Sequence, residues 1–122
     1  IEAGSDLFLM PSLFEPCGLN QIYSLRYGTL PIVRAVGGLD DTIHNYDPAS
    51  KRGNGFKFYD ATIDALYHTV KWAVDICRYE PEAFRLMQKL AMEARFDWEK
   101  SAEAYEDLYY RSLYARRVRN YK

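Results

Sequence analysis

Two short apolar runs constrain this chain more than anything else in it: Leu7-Phe8-Leu9-Met10 and Leu30-Pro31-Ile32-Val33. Neither alternates apolar with polar residues, so each reads as a strand covered on both faces, the pattern of a parallel sheet. Pro11 closes the first run. Pro31 is awkward inside a ladder, which places it among the first residues of its strand or near a sheet edge. Between the runs, Leu19 to Tyr27 reads as a helix closed by Gly28, long enough for a crossover. The first thirty-three residues are therefore expected to form a βαβ unit.

The link from the first strand to that helix is Phe14-Glu15-Pro16-Cys17-Gly18-Leu19-Asn20-Gln21. A carboxylate and a glycine at a strand-to-helix turn suit a polar, anionic ligand. The glycine lets backbone approach, and the exposed N–H groups and dipole of the helix start favour negative charge. From spacing alone, Glu15 fits a functional carboxylate and a helix-start residue interacting with the dipole equally well.

Farther on, Gly37-Gly38-Leu39 breaks the pattern, either as a tight turn or as a loop brought close to a ligand. Asp40-Asp41-Thr42 is expected to start a short helical turn carrying Ile43, with the two aspartates as caps. His44 to Asn54 has loop composition, and Gly55 to Phe58 reads as a short third strand. The chain is expected to be helical from Ala61. Ile63, Leu66, Tyr67, Val70, Val74 and Cys77 share one helix face. Pro81 suits the first position of a second helix burying Phe84, Met87, Leu90, Ala91 and Ala94. Asp97 is placed to cap a third, on which Trp98, Ala102, Tyr105, Leu108 and Tyr109 recur at helical spacing. The chain has 11 tyrosines. Those at Tyr105, Tyr109, Tyr110, Tyr114 and Tyr121 most simply belong to a helix docked on its own domain. Arg111, Arg116, Arg117, Arg119 and Lys122 read as a solvated face near a helix C-terminus.

At 122 residues, 48% hydrophobic and with a formal net charge of −1, the chain is one domain or part of one. Nothing in its charge points to nucleic acid or an anionic membrane. No apolar run is long enough to span a bilayer, and the opening residues lack a signal-peptide pattern. Cys17 and Cys77 have neither zinc-like nor redox-like spacing, so free thiols in the cytoplasm are expected. Three parallel strands are about half of a doubly wound sheet. Either a longer parent chain supplies the remaining strands, or a second copy covers the open edges by self-association.

Ser5-Asp6-Leu7-Phe8-Leu9-Met10-Pro11-Ser12-Leu13-Phe14-Glu15-Pro16-Cys17-Gly18-Leu19-Asn20-Gln21, then Tyr27 to Arg34, Gly37-Gly38-Leu39 and Trp98 to Tyr105, strongly resemble the bacterial and plant glycogen/starch synthases. The similarity runs in order along essentially the whole chain. It implies an α/β fold: a partial Rossmann-like, doubly wound parallel sheet from the later part of a GT-B C-terminal domain. Residues 1–60 would be the sheet portion and 61–122 the helical portion. The implied activity is retaining, metal-independent transfer of glucose from ADP-glucose, or UDP-glucose, to the non-reducing end of an α-1,4-glucan. No cofactor is implied, and the implied partner is the opposing N-terminal GT-B domain. A plant member would work in the plastid.

Carried onto this sequence, the resemblance puts Glu15 on the donor glucose and the backbone of Cys17 and Gly18 against the sugar. Leu19 and Asn20 fall where the helix start meets the distal phosphate, and Gly37 and Gly38 belong to the same substrate-binding set. Where many retaining GT-B enzymes carry a second glutamate, this chain has Tyr23, as the synthase branch does. With no second carboxylate flanking the bond, a front-side, substrate-assisted route fits better than double displacement. Two other readings stay open: a fragment that binds a nucleotide sugar or only supports structure, and another retaining GT-B transferase. The isolated chain is expected to be inactive.

Overall fold

Strand β2 (Leu30–Arg34) is the centre of a three-stranded parallel sheet, with β1 (Leu7–Met10) on one side and β3 (Phe56–Phe58) on the other. The computed structural model describes residues 1–120. Tyr121 and Lys122 lie outside the described residues, as does the side chain of Arg119. The register runs from Leu7 opposite Leu30 to Met10 opposite Val33, and from Ile32 opposite Phe56 to Arg34 opposite Phe58. Pro31 does sit near the start of its strand, but that strand is central, not an edge. Leu30 N–H donates to Asp6 on the β1 side. Successive residues alternate, so the ring nitrogen of Pro31 turns toward β3, where pairing begins only at Ile32.

Helix α1 (Asn20–Tyr27) crosses from β1 to β2 and stops at Gly28, whose left-handed φ of 75° returns its N–H to Leu25 and Ser24. A side chain would be strained there, which is why a glycine ends this helix. The uninterrupted run in β1 predicted burial on both faces, yet Leu9 is 46% exposed and only Met10 is fully covered. β1 is an edge strand with a single neighbour. Leu25, Leu30, Val33, Leu39, Ile43, Phe56 and Met87 make the centre of the core.

Helix α2 (Gly37–Thr42) starts earlier than expected. Gly37 and Gly38 open it, Ile43 follows it, and Val36 stands at its N-cap, so neither aspartate caps it. Asp40 instead pairs with the Lys57 ammonium.

Helix α3 (Ile63–Tyr79) is capped by the Thr62 hydroxyl, which accepts from Ala65 N–H. Its buried face matches the expected one in part: Val70 and Cys77 pack against the core, but Ile63 is 85% and Tyr67 61% exposed, while Ala73 and Ile76 are buried. Trp72 rotates the helix, because its ring packs edge-on to Phe56 at 5.1 Å and lies 5.9 Å from Tyr46. Helix α4 (Pro81–Glu93) begins at its proline and buries Ala83, Phe84, Met87 and Ala91, close to expectation. Leu90 is only partly covered, and Ala94 lies just past the end.

The last helix, α5 (Trp98–Asn120), overturns the docking expectation. Trp98, Tyr105, Leu108, Tyr109, Tyr110 and Tyr114 are all exposed. Arg95 at the preceding joint bridges Asp97 and Glu99, each at 2.6 Å, and Arg111 pairs with Asp107 one turn back. Asp97, expected to cap α5, directly precedes the helix, where its backbone carbonyl accepts from Ser101 N–H and its carboxylate also receives Arg95. Among the described residues no helix is long and apolar enough to cross a membrane.

Candidate functional site

Loops at the carboxyl ends of adjacent parallel strands are where open α/β sheets bind ligands. Here the loop after β1 carries Glu15 to Leu19, and the loop after β2 leads into Gly37 and Gly38. The two segments touch through backbone. Gly38 N–H donates to Glu15 O at 3.1 Å and to Pro16 O at 3.2 Å. A Cβ on Gly37 would stand 2.2 Å from Glu15 O, and one on Gly38 only 1.9 Å from Cys17 O. No side chain fits at either position. The double glycine is thus neither a simple tight turn nor a free loop: it is the start of a helix laid directly on the Glu15 turn.

Gly18 has φ of 69°, a conformation that turns the chain into α1. Leu19 at the N-cap offers no side-chain hydrogen bond to the helix, and the first N–H groups of any helix lack intrahelical partners. That end of α1 therefore presents donors and positive dipole to an incoming anion. The Glu15 side chain is partly covered, while Cys17, Leu19 and Asn20 are exposed beside it. All seven expected residues (Glu15, Cys17, Gly18, Leu19, Asn20, Gly37 and Gly38) fall within this one strand-end assembly.

Three residues outside the expected set hold it. Arg34, at the last position of β2, donates from Nε to Ser12 O at 2.9 Å and from Nη2 to Leu13 O, fastening the start of the loop. Gln21 and Thr42 tie the turn to α2 from beneath. The available signal was polarity on an inward face: Gln21 and Ser24 share with Leu25 the buried stripe of α1. His44 and His68 are exposed, on the loop after α2 and on α3. Burial pushes the Cys77 thiol above its ordinary value, with Asp6 adding in the same direction.

A cavity of about 190 Å³ lies at the carboxyl ends of all three strands, between Leu13, Arg34, Phe58 and Leu66. Larger depressions flank the joint between α4 and α5, away from Glu15. None of the seven residues lines either of these depressions or the strand-end cavity.

No family model matches the chain. It is 58% identical over 113 residues to glycogen synthase 1 of Geobacter sulfurreducens, covering 93% of this chain and 23% of that protein. It is 52% identical over 109 residues to glycogen synthase of Koribacter versatilis, covering 89% and 22%. The catalytic domain of starch synthase IV from Arabidopsis thaliana, bound to ADP and acarbose, matches with a TM-score of 0.78 and 40% identity, over 93% of this chain and 24% of that one. Sucrose-phosphate synthase from Thermosynechococcus elongatus matches at 0.56 and 30%, over 90% and 26%. The parallel sheet with its strand-end turn is thus a portion of a GT-B glycosyltransferase catalytic domain. Within that class the chain is similar along most of its length to the glycogen and starch synthases. It spans about a quarter of the length of the relatives it matches.

Proposed function

We propose that the protein containing this chain is a glycogen or starch synthase that transfers glucose from ADP-glucose to the non-reducing end of an α-1,4-glucan. In this reading the chain supplies the donor-sugar side of the site. The observation that carries it is the Glu15–Asn20 turn, clamped by Gly37 and Gly38 beside the uncapped start of α1. This turn lies in a chain 58% identical to a glycogen synthase. The ADP and acarbose bound to the starch synthase IV neighbour favour an adenine nucleotide donor and a glucan acceptor.

In the proposed step the acceptor hydroxyl approaches the anomeric carbon from the face that the diphosphate leaves. The bond from that carbon to the phosphate oxygen breaks, and its electron pair goes to the phosphate. The phosphate oxygen takes the acceptor's proton as the new glycosidic bond forms, so configuration is retained without a metal. Glu15 orients the sugar and stabilises positive charge at the reacting carbon. The start of α1 stabilises the negative charge growing on the phosphate. The opposing domain of the complete protein would hold the acceptor, and the enzyme would act in the cytoplasm, or in the plastid if from a plant.

The test is Glu15→Gln in the complete protein, assayed for glucose incorporation from ADP-glucose into glycogen. Turnover is expected to fall about 100-fold or more while ADP affinity stays within about 2-fold, because the carboxylate acts on the sugar. Normal turnover would remove Glu15 from the mechanism, and a covalent glucosyl adduct on Glu15 would overturn the front-side route. The 122 residues alone are expected to incorporate no glucose. Incorporation by them would show that no opposing domain is needed.

A further inference from the structure

We propose that Gln21, with Thr42, is the positioning brace of the donor turn: a buried amide that fixes where the Glu15 carboxylate stands relative to the start of α1. The inference rests on the assignment of Glu15 to the donor sugar.

Gln21 lies in the first turn of α1 with 0% of its surface exposed. Its Nε2 faces three oxygens: Cys17 O at 3.0 Å, Gly18 O at 3.1 Å and Thr42 Oγ1 at 3.3 Å. The Thr42 hydroxyl gives its own proton to Gly38 O, so toward the amide it accepts. Gly38 N–H then closes the circuit on Glu15 O and Pro16 O. Four successive carbonyls, from Glu15 to Gly18, are therefore held by two donors, one amide side chain and one backbone N–H. No peptide plane of the turn rotates without breaking one of these bonds.

The amide can face only one way. With oxygen and nitrogen exchanged, its carbonyl would meet two backbone carbonyls that have no proton to give. The consequence is visible on the other side: Gln21 Oε1 is buried and has no hydrogen-bond partner among the described residues. It lies beside Gly18, where an added Cβ would come within 2.4 Å of it. An orphaned buried acceptor is costly and calls for a reason. An apolar side chain would avoid that cost but leave the Cys17 and Gly18 carbonyls without their donor. Fixing the turn is what the glutamine does that a methionine of similar size cannot.

The experiment compares Gln21→Met, Thr42→Val, Thr42→Ser and Glu15→Gln in the complete protein containing this chain. It measures kcat, the donor KM, ADP affinity, and amide exchange at Gly38 and in β2. Gln21→Met is expected to speed Gly38 exchange about 10-fold or more with Ile32 and Val33 unchanged. It should also lower kcat about 10- to 100-fold while ADP affinity stays within about 2-fold. Thr42→Val should move both readouts the same way, and Thr42→Ser, which keeps the hydroxyl, should restore them. Folded Gln21→Met with wild-type kcat and Gly38 exchange overturns the brace, as does a Thr42→Ser variant as impaired as Thr42→Val. If Gln21→Met does not fold, the valine and serine pair at Thr42 decides by the same criteria. If no form of the protein transfers glucose, the assignment of Glu15 fails instead. Gly38 exchange alone then decides the brace, faster exchange in Gln21→Met supporting it and unchanged exchange overturning it.

Discussion

Replacing Gly38 with alanine adds a single methyl group at the closest backbone crossing in the site. That carbon would stand 1.9 Å from Cys17 O, 2.5 Å from its carbonyl carbon and 2.6 Å from its Cα. All three are backbone atoms, so no side-chain rotation relieves the clash. Reaching ordinary contact near 3.5 Å requires the turn and α2 to part by about 1.5 Å. The bonds from Gly38 N–H to Glu15 O and Pro16 O, now 3.1 and 3.2 Å, would then exceed hydrogen-bonding distance. The single shared donor, lost at about 1 kcal/mol, with overpacking strain of about 1–3 kcal/mol, amounts to about 2–4 kcal/mol. The assay is a urea titration of the complete protein followed by amide exchange in β2, alongside glucose transfer. Stability of this region should fall by that amount, and kcat by about 100-fold, since Glu15 moves with the turn. Gly4→Ala, where nothing lies within 4 Å, is the control and should change stability by no more than about 0.5 kcal/mol. Gly38→Ala with stability within about 1 kcal/mol and kcat within about 2-fold of wild type would refute the reasoning: α2 would not need to lie against the turn.

Two further outcomes are expected. Arg34→Lys keeps the charge but loses the two-pronged hold on Ser12 O and Leu13 O, because an ammonium cannot reproduce the guanidinium fork. Its kcat should fall about 10-fold with β2 exchange intact, and unchanged steady-state kinetics would show that the loop start needs no such anchor. Cys17 is exposed and Cys77 half-buried with a raised pKa. A raised value means less thiolate at any given pH. Alkylation followed by peptide mass spectrometry should therefore find Cys17 modified first, with Cys77 accelerating only toward higher pH. Equal rates at neutral pH would contradict the burial of Cys77.

What could be read from the residues divides along physical lines. β1, α1 and β2 were legible because apolar runs, Gly28 and the crossover length all specify the same unit. Pro81 marked α4 for an equally local reason. The buried face of α3 was legible only in part, at Val70 and Cys77: periodicity marks apolar positions, but Trp72 meeting Phe56 and Tyr46 decides which of them turn inward. On α5 the same periodicity promised a docked face, and the apolar residues proved exposed. At the site, Glu15 and the glycines announced themselves through motif and resemblance. Gln21, Thr42 and Arg34 did not, because each works by holding backbone carbonyls, a task with no spacing of its own. Asp40 and Asp41 misled as caps, since the glycines let α2 begin before them.

The exposed final helix also has a mechanical meaning. Its 23 residues make a rod about 34 Å long, joined to α4 by a short segment where one arginine holds two carboxylates in water. Exposed pairs of that kind are weak springs. A rotation of only about 10° there carries the far end of such a rod through about 6 Å. Any rotation at Arg95 would thus be geared up along α5, displacing the aromatic residues along it in proportion to their distance from the joint.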